Sequence, residues 1–438
     1  MRKQKTKVAT YSFFSLPLFI LTLLLFLMPQ EAVAQGFYKD IFMDGGIRLT
    51  SRKDLPAARR LDLSIEYFAS SKGKKASDFT LQDTLIQTAL FTGSDDDTNG
   101  VLLYPDGAPR FKAIYVNGGF APAHAISLGE SGKDNIKKFV KEGGSYVGTC
   151  AGMFLASLGN KHKNNGKEYL HIWPGWAYST LLSKTPIGHF IEKGSPLLKY
   201  YDFGGDMHVD SVYHNGGGFA YLQGGLPEGT EILTRYDYTP KTGKQKNHSI
   251  HNEISTWAWK ESESTGRILL CGSHPEGVTS GERLDLMSSF LLYAIDGVGA
   301  PKVKGELQNG VARIMDKKTE DNNPDFTRIG DKQYHHFTVD IPKKAKNIRV
   351  SLEGAKGYDL NLYLNRGAPA FKQDANMVDI SKGAKKSILN KKLEPGVWYI
   401  GVECDTTVES RQEEWGWSYT GDLSVLNGVP YTIKVEWD

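Results

Sequence analysis

The fold is decided by a glycine-rich stretch that joins a predicted strand to a predicted helix, Gly143-Gly144-Ser145-Tyr146-Val147-Gly148-Thr149-Cys150-Ala151-Gly152-Met153-Phe154-Leu155-Ala156. Residues 145–147 are typical of the end of a short buried strand, and residues 151–158 of the start of a helix. Cys150 falls on the sharp turn between them, where the small neighbours Gly148 and Gly152 leave room for a tightly folded backbone. Free N–H groups at the helix start favour a thiolate at this position. The pattern suits a nucleophilic cysteine, but a buried structural cysteine after a strand fits this stretch equally well.

A second stretch, further along the chain, favours the nucleophile. The apolar run at residues 267–271 predicts another strand, and Gly272-Ser273-His274-Pro275-Glu276-Gly277 follows it. Residues two apart in an extended chain point the same way, so His274 and Glu276 can lie side by side. A base oriented by a carboxylate is what a cysteine nucleophile requires. The order Cys150, His274, Glu276 therefore predicts a catalytic triad.

These motifs resemble the class I glutamine amidotransferase-like domain, in the branch found at the N-terminus of some biotin–protein ligases. The resemblance spans the domain that we assign to residues 61–300. It is carried by four segments, Tyr115-Val116-Asn117-Gly118-Gly119, residues 143–156, Tyr213-His214-Asn215-Gly216-Gly217 and Ser273-His274-Pro275-Glu276. Amidotransferases pass ammonia to a synthetase domain, and no part of this chain resembles one.

The resemblance implies roles for individual residues. It implies a triad of Cys150, His274 and Glu276. It also implies an oxyanion hole formed by the backbone N–H groups of Ala151 and of the Gly118–Gly119 loop. From the matched segment around residue 214 we predict substrate contacts by Tyr213, Asn215 and Gly216.

The N-terminus has the features of a secretory signal peptide over residues 1–34. Basic residues precede an apolar run at residues 13–28, and Ala32-Val33-Ala34 offers a cleavage site. An uncleaved anchor is the alternative, but the run is shorter than the ~20 apolar residues of a spanning helix. We therefore predict an exported protein, periplasmic or secreted, without a stable membrane anchor.

Charge and cysteine content exclude several classes of protein. Residues 1–34 carry four basic and one acidic residue, which accounts for the whole chain's net charge of +3. The remaining chain is near neutral, so we predict no nucleic-acid partner. The three cysteines, Cys150, Cys271 and Cys404, are too few for a disulfide scaffold in an exported protein. At least one thiol must be free, and Cys150 is the obvious candidate.

Strands that alternate with helices predict the fold class of residues 61–300. Strands are predicted at 61–68 and 112–116, and helices at 80–91, 133–141 and 283–296. This alternation favours an α/β fold, a mainly parallel sheet flanked by helices, and the resemblance implies the flavodoxin-like amidotransferase version of it. Sites in such sheets gather at the carboxyl ends of strands, where the Gly118–Gly119 loop, Cys150 and His274 are all expected.

Three further segments give weaker indications. Residues 35–60 are predicted to form an N-terminal arm. Residues 159–260 are rich in aromatic residues, and could form a substrate wall or ordinary loop packing. An acidic loop at 94–99 lacks the ligand spacing of an EF-hand. The pair His248 and His251 has a faint metal spacing but lies in a polar loop without cysteine, so we predict neither a metal nor a cofactor.

Beyond residue 333 the pattern changes to short alternating strands, which predict an all-β sandwich domain. Residues 333–438 resemble the bacterial pre-peptidase C-terminal domain, and residues 301–332 are predicted to be a linker. The matching segments are Tyr358-Asp359-Leu360-Asn361-Leu362-Tyr363, Pro395-Gly396-Val397-Trp398-Tyr399-Ile400 and Pro430-Tyr431-Thr432-Ile433. The resemblance implies an accessory module of secreted enzymes, with an extracellular polymer or a cell-surface ligand as its candidate partner. We expect this domain to fold independently of residues 61–300.

Together these features predict a secreted thiol-dependent amide hydrolase. Its substrate would be a small molecule or a peptide with a glutamine-like or peptide amide. The alternative is a non-catalytic extracellular binding protein that keeps the amidotransferase-like fold. The intact set of Cys150, His274 and Glu276 favours the enzyme.

Overall fold

The computed structural model describes residues 39–44, 55–68, 102–240, 249–319, 323–413 and 416–438, which belong to one compact unit. The signal peptide at 1–34, the helix at 80–91, the acidic loop at 94–99 and His248 lie outside the described residues. So does much of the arm at 35–60. None of the described helices is both long and apolar enough to cross a membrane.

Helices are few in the described part of the chain. They are α1 (Pro56–Arg60), α2 (Ala121–Lys141), α3 (Ala151–Ala156) and α4 (Glu282–Ile295). Short 3-10 turns lie at Pro196–Lys199, Phe203–Gly205, Leu222–Gly224, Pro324–Phe326 and Leu423–Asn427.

Strands are far more numerous than helices among the described residues. Before residue 300 they are β1 (Lys39–Asp44), β2 (Ile65–Phe68), β3 (Phe111–Val116), β4 (Ser145–Thr149), β5 (Ala177–Ser179), β6 (Thr185–Ile191), β7 (His208–His214), β8 (Gly218–Ala220), β9 (Glu231–Asp237), β10 (Ile254–Trp259) and β11 (Ile268–Cys271). After it they are β12 (Val303–Glu306), β13 (Ala312–Met315), β14 (Tyr334–Ile341), β15 (Ile348–Gly354), β16 (Leu360–Arg366), β17 (Met377–Asp379), β18 (Lys385–Asn390), β19 (Gly396–Cys404), β20 (Glu409–Glu413), β21 (Gly416–Thr420) and β22 (Tyr431–Glu436).

The first half is organised around a nine-stranded sheet in the order β2-β1-β3-β4-β11-β10-β9-β6-β7. Pairings from β2 through to β11 are parallel. Those from β11 through to β7 are antiparallel. Strands β5 and β8 form a separate antiparallel ribbon.

The predicted fold class, a mainly parallel sheet flanked by helices with a C-terminal sandwich, is wrong. The described residues are 35% strand and only 19% helix, and the large sheet is half antiparallel. The error arises in residues 159–260. The sequence suggested a substrate wall or ordinary loop packing for this segment, but it supplies β6, β7, β9 and β10. Antiparallel neighbours need no crossover helix, so this segment extends the sheet without adding the helices that a parallel sheet requires.

The centre of the sheet is buried on both faces, because successive side chains of a strand point to opposite sides. Tyr115 and Val147 share a hydrophobic cluster with Phe290 of α4. Their neighbours Ile114 and Tyr146 share a second cluster with residues of α2. This double burial holds the carboxyl ends of β3, β4 and β11 rigidly side by side.

The second half contains a five-stranded sheet, β12-β14-β19-β16-β17, and a four-stranded sheet, β13-β22-β15-β18. Ile400 of one sheet and Ile433 of the other belong to the same buried cluster, which continues into the first half at Phe111. Residues 301–332, predicted as a linker, supply the edge strand of each sheet, β12 and β13.

Candidate active site

Cys150 lies on a strained turn between β4 and α3. Its φ of 49° and ψ of −101° are unusual for a residue with a side chain. Such strain costs of order 1–3 kcal/mol and persists where the surrounding structure enforces it. Close packing around the turn holds the backbone in this conformation, because a Cβ on Gly152 would lie 2.1 Å from the carbonyl oxygen of Val116. A Cβ on Gly148 would lie 2.7 Å from the backbone of Gly152.

The parallel pairing of β4 with β11 brings His274 to Cys150. Thr149 lies opposite Cys271, and the Cys150 N–H donates to the Cys271 carbonyl at 2.9 Å. The chain after β11 therefore leaves the sheet beside the turn. A Cβ on Gly118 would lie 2.2 Å from Cε1 of His274 and 3.3 Å from Cβ of Cys150, so the two side chains meet at this glycine.

His274 is held between a thiol and a carboxylate. Its Nδ1 lies 2.9 Å from Oε1 of Glu276, and its ring lies beside the side chain of Cys150. Burial alone lowers the pKa of His274, but the hydrogen bonds and charges of Cys150 and Glu276 outweigh it and raise the pKa to about 10. These two neighbours therefore favour the protonated imidazole.

The charge of Glu276 acts on a phenol and on a cation. Burial raises the pKa of Tyr115, and the Glu276 charge raises it further, so this phenol stays protonated. Burial lowers the pKa of Arg283, and the Glu276 charge opposes that shift. Arg283 was not among the predicted site residues. Its position in the first turn of α4, close after the His274–Glu276 motif, was the available signal.

The predicted oxyanion donors lie on the turn at Cys150 and on the loop after β3. Ala151 opens α3, where the first N–H groups have no partner within the helix. Among the described residues, no hydrogen bond is made by the backbone N–H groups of Ala151, Gly118 or Gly119. The two segments are tied together, since Gly152 N–H donates to the Asn117 carbonyl at 3.2 Å. Three backbone donors are thus available beside Cys150.

The predicted substrate-contact residues differ in their surroundings. The Tyr213 carbonyl accepts the His274 N–H at 2.7 Å, and its half-exposed ring lies 5.7 Å from the His274 ring, measured between centroids. The Asn215 carbonyl lies 3.6 Å from the Cys150 sulfur, whereas Oδ1 of Asn215 accepts from Ser183 Oγ at 2.9 Å. Gly216 donates to Leu182 at 2.7 Å within a turn. All three residues are exposed, and the Tyr213 ring is the one that lies against His274.

Comparison with protein families finds a match over part of this site. Residues 108–182 match the family described as "Biotin-protein ligase, N terminal". This segment contains the Gly118–Gly119 loop and Cys150, but ends before His274 and Glu276. The broader glutamine amidotransferase-like assignment is not confirmed by this match. None of the curated proteins matches the chain.

Solved structures give only weak likenesses. The pre-peptidase C-terminal domain of collagenase from Bacillus anthracis is 14% identical with a TM-score of 0.18, over 32% of this chain and 100% of that chain. PliG, a periplasmic inhibitor of g-type lysozyme from Aeromonas hydrophila, is 12% identical with a TM-score of 0.18, over the same shares of 32% and 100%. A two-domain esterase active on acetylated mannans is 10% identical with a TM-score of 0.16, over 96% of this chain and 95% of that chain. TM-scores this low do not establish a shared fold.

Proposed function

We propose that this protein is an exported cysteine hydrolase that cleaves an amide bond in a small molecule or a peptide. The observation that carries the proposal is the hydrogen-bonded pair of His274 and Glu276 placed beside Cys150, which lies on a strained strand-to-helix turn. The N-terminal pattern of residues 1–34 supports export. The match of residues 108–182 to the family described as "Biotin-protein ligase, N terminal" supports an enzyme-related function.

The proposed reaction uses the residues in sequence. The Cys150 sulfur attacks the amide carbonyl carbon, and the carbonyl oxygen becomes an oxyanion held by the N–H groups of Ala151, Gly118 and Gly119. Each such donor stabilises the transition state by about 3 kcal/mol. His274 gives its proton to the departing amine, and Glu276 keeps the imidazole oriented. Water, deprotonated by His274, then cleaves the thioester and frees Cys150 with the carboxylic acid product.

The triad predicts a specific pattern of mutant effects on amide turnover. Cys150→Ser and His274→Ala should each lower kcat by about a hundredfold to ten-thousandfold, and Glu276→Gln by less. The double change of Cys150 and His274 should cost little more than either alone, because residues that act as a unit are not additive. The measurement is kcat of the purified protein across a panel of fluorogenic amides. Cys404→Ser, which alters a buried cysteine in β19, is the matched control and should keep full turnover.

The binding-protein alternative predicts the opposite pattern. Wild type would hydrolyse no member of the panel. A ligand identified in a binding assay would bind the Cys150→Ser variant as tightly as it binds wild type. These two results together would contradict the proposed hydrolase activity.

A further inference from the structure

A chain of fully buried polar side chains lies directly behind the candidate site. Nδ1 of His214 lies 3.0 Å from Oγ of Ser273, and Nε2 of His214 lies 2.6 Å from Oγ1 of Thr180. Ser273 Oγ is also 3.0 Å from Nε2 of His189, whose Nδ1 lies 3.2 Å from Oγ of Ser255. These side chains are completely or almost completely shielded from solvent. The catalytic steps described above use none of them.

The hydrogen bonds of this chain have a consistent direction. The Thr180 hydroxyl donates its proton to the Gly217 carbonyl at 3.0 Å, so its oxygen accepts from Nε2–H of His214. Nδ1 of His214 then accepts the hydroxyl proton of Ser273, whose oxygen accepts from His189. Burial, with a smaller effect of the His274 charge, lowers the pKa of His214 to about 3. Burial also lowers the pKa of His189 to about 3, so both rings are neutral at working pH.

The chain joins the two segments that carry the site. Ser273 immediately precedes His274. His214 stands between Tyr213, whose carbonyl accepts the His274 N–H, and Asn215, whose carbonyl faces the Cys150 sulfur. We propose that the His214–Ser273 hydrogen bond is a clamp that sets the position of His274 relative to Cys150, with both residues acting as positioning residues. The inference rests on the proposed function.

Burial alone does not explain polar side chains at these positions. A buried polar group contributes little net stability, and apolar side chains of the same shape can replace a hydrogen-bonded pair at little cost. Hydrogen bonds differ from apolar contacts in being directional, and here they fix the angle between two segments. A misplacement of about 1 Å in a catalytic group can cost about a hundredfold in rate.

Two near-isosteric changes at His214 separate positioning from simple folding. His214→Asn places a polar atom where Nδ1 lies and can keep the hydrogen bond to Ser273. His214→Gln places a polar atom where Nε2 lies and can keep only the hydrogen bond to Thr180. The measurement is the rate of Cys150 alkylation by iodoacetamide across a pH series, with labelling sites assigned by mass spectrometry. The charged and titratable groups that face His274 are Cys150, Glu276, Tyr213 and His214, and Arg283 lies near Glu276.

We expect His214→Asn to keep a rate near that of wild type, and His214→Gln to label Cys150 roughly tenfold more slowly at near-neutral pH. The pH profile of His214→Gln should also shift upward, towards that of His274→Ala. If the two variants lose the same amount of rate, or neither loses any, His214 does not position His274. If Cys150 of the folded wild type reacts no faster than Cys404 of the unfolded protein, the proposed hydrolase is wrong, and the clamp is wrong with it.

Ser273→Ala provides a second test if the His214 variants do not fold. It removes one buried oxygen atom and should slow labelling roughly tenfold while the protein stays folded. Its control is Ser289→Ala in α4, which removes a buried hydroxyl bonded to the Leu286 carbonyl at 2.8 Å, away from the site. Equal labelling rates in the two alanine variants would contradict the clamp.

Discussion

At the scale of single residues, the charge state of His274 is decided by its neighbours rather than by its burial. Burial by itself removes the proton from a histidine, as it does for His189 and His214. His274 differs because a carboxylate and a sulfur lie against its two nitrogens. Burial therefore leaves His189 and His214 neutral, whereas the neighbours of His274 favour its charged form beside Cys150.

This charge state predicts how stability depends on pH. The pKa of His274 is about 10 in the folded protein and 6.5 for an ordinary histidine, so its protonation stabilises the fold fully below pH 6.5. The contribution is lost as pH rises from 6.5 towards 10. The free energy of unfolding of wild type, measured by urea titration, should therefore exceed that of His274→Gln by an amount that shrinks across this interval. Glu276→Gln should lower the pKa of His274 and so narrow the pH interval over which this stability is lost. If the difference in unfolding free energy between wild type and His274→Gln stays constant with pH, the pKa of His274 is not raised.

At the scale of secondary structure elements, the site is made by three chain segments leaving adjacent parallel strands. The loop after β3 contributes Gly118, the turn after β4 contributes Cys150, and the chain after β11 contributes His274. Glycines allow these segments to approach one another more closely than side chains would permit. Gly118 is the tightest of these contacts to a catalytic side chain.

A methyl group on Gly118 should therefore displace His274. In Gly118→Ala the new Cβ would lie 2.2 Å from Cε1 of His274, and the imidazole must move. We expect turnover to fall about a hundredfold, because the base leaves its productive position, while the far-ultraviolet circular dichroism stays unchanged. Gly277→Ala is the control, since the nearest neighbour of its new Cβ would be an Arg283 nitrogen at 3.6 Å. Equal turnover in the two variants would show that this contact does not position the base.

At the scale of the whole molecule, a buried ion pair joins the two halves. Nε and Nη2 of Arg110 donate to the two carboxylate oxygens of Asp331 at 2.7 and 2.8 Å, and both side chains are shielded from water. Lys304 and Gln333 both bind the Asp106 carboxylate, at 2.6 and 2.9 Å. The division into residues 61–300 and 333–438 stays a prediction, and these contacts indicate that the halves stabilise each other.

Breaking the Arg110–Asp331 pair should destabilise both halves. Asp331→Asn removes the carboxylate that accepts two hydrogen bonds from Arg110, at a cost of about 3–5 kcal/mol in the free energy of unfolding. Urea titration followed by hydrogen-exchange mass spectrometry reports each half separately. The double variant Arg110→Met with Asp331→Leu should recover most of the loss, because an apolar pair needs no charge partner. Two separate transitions, both unaffected by Asp331→Asn, would instead mean that the halves fold independently.

Local pattern alone was enough to predict several elements. The strand at 112–116 lies within β3, and the helices at 133–141 and 283–296 lie within α2 and nearly within α4. The turn at Cys150 was also predictable, because the steric need for small neighbours is expressed in adjacent residues. His274 and Glu276 share one short segment, so their contact too is a local property.

Only the tertiary structure decided how the strands of residues 159–260 pair, and whether the sheet continues parallel or antiparallel. Pairing joins residues far apart in the chain, such as Phe190 with Arg235, and no local pattern specifies that register. The same holds for the His214–Ser273 bond, whose partners come from the end of β7 and from the loop after β11. The sequence by itself therefore determined the turn, the triad order and the local elements, which depend on neighbouring residues. Tertiary structure decided the sheet topology and the surroundings of His274, because those depend on which distant segments pack together.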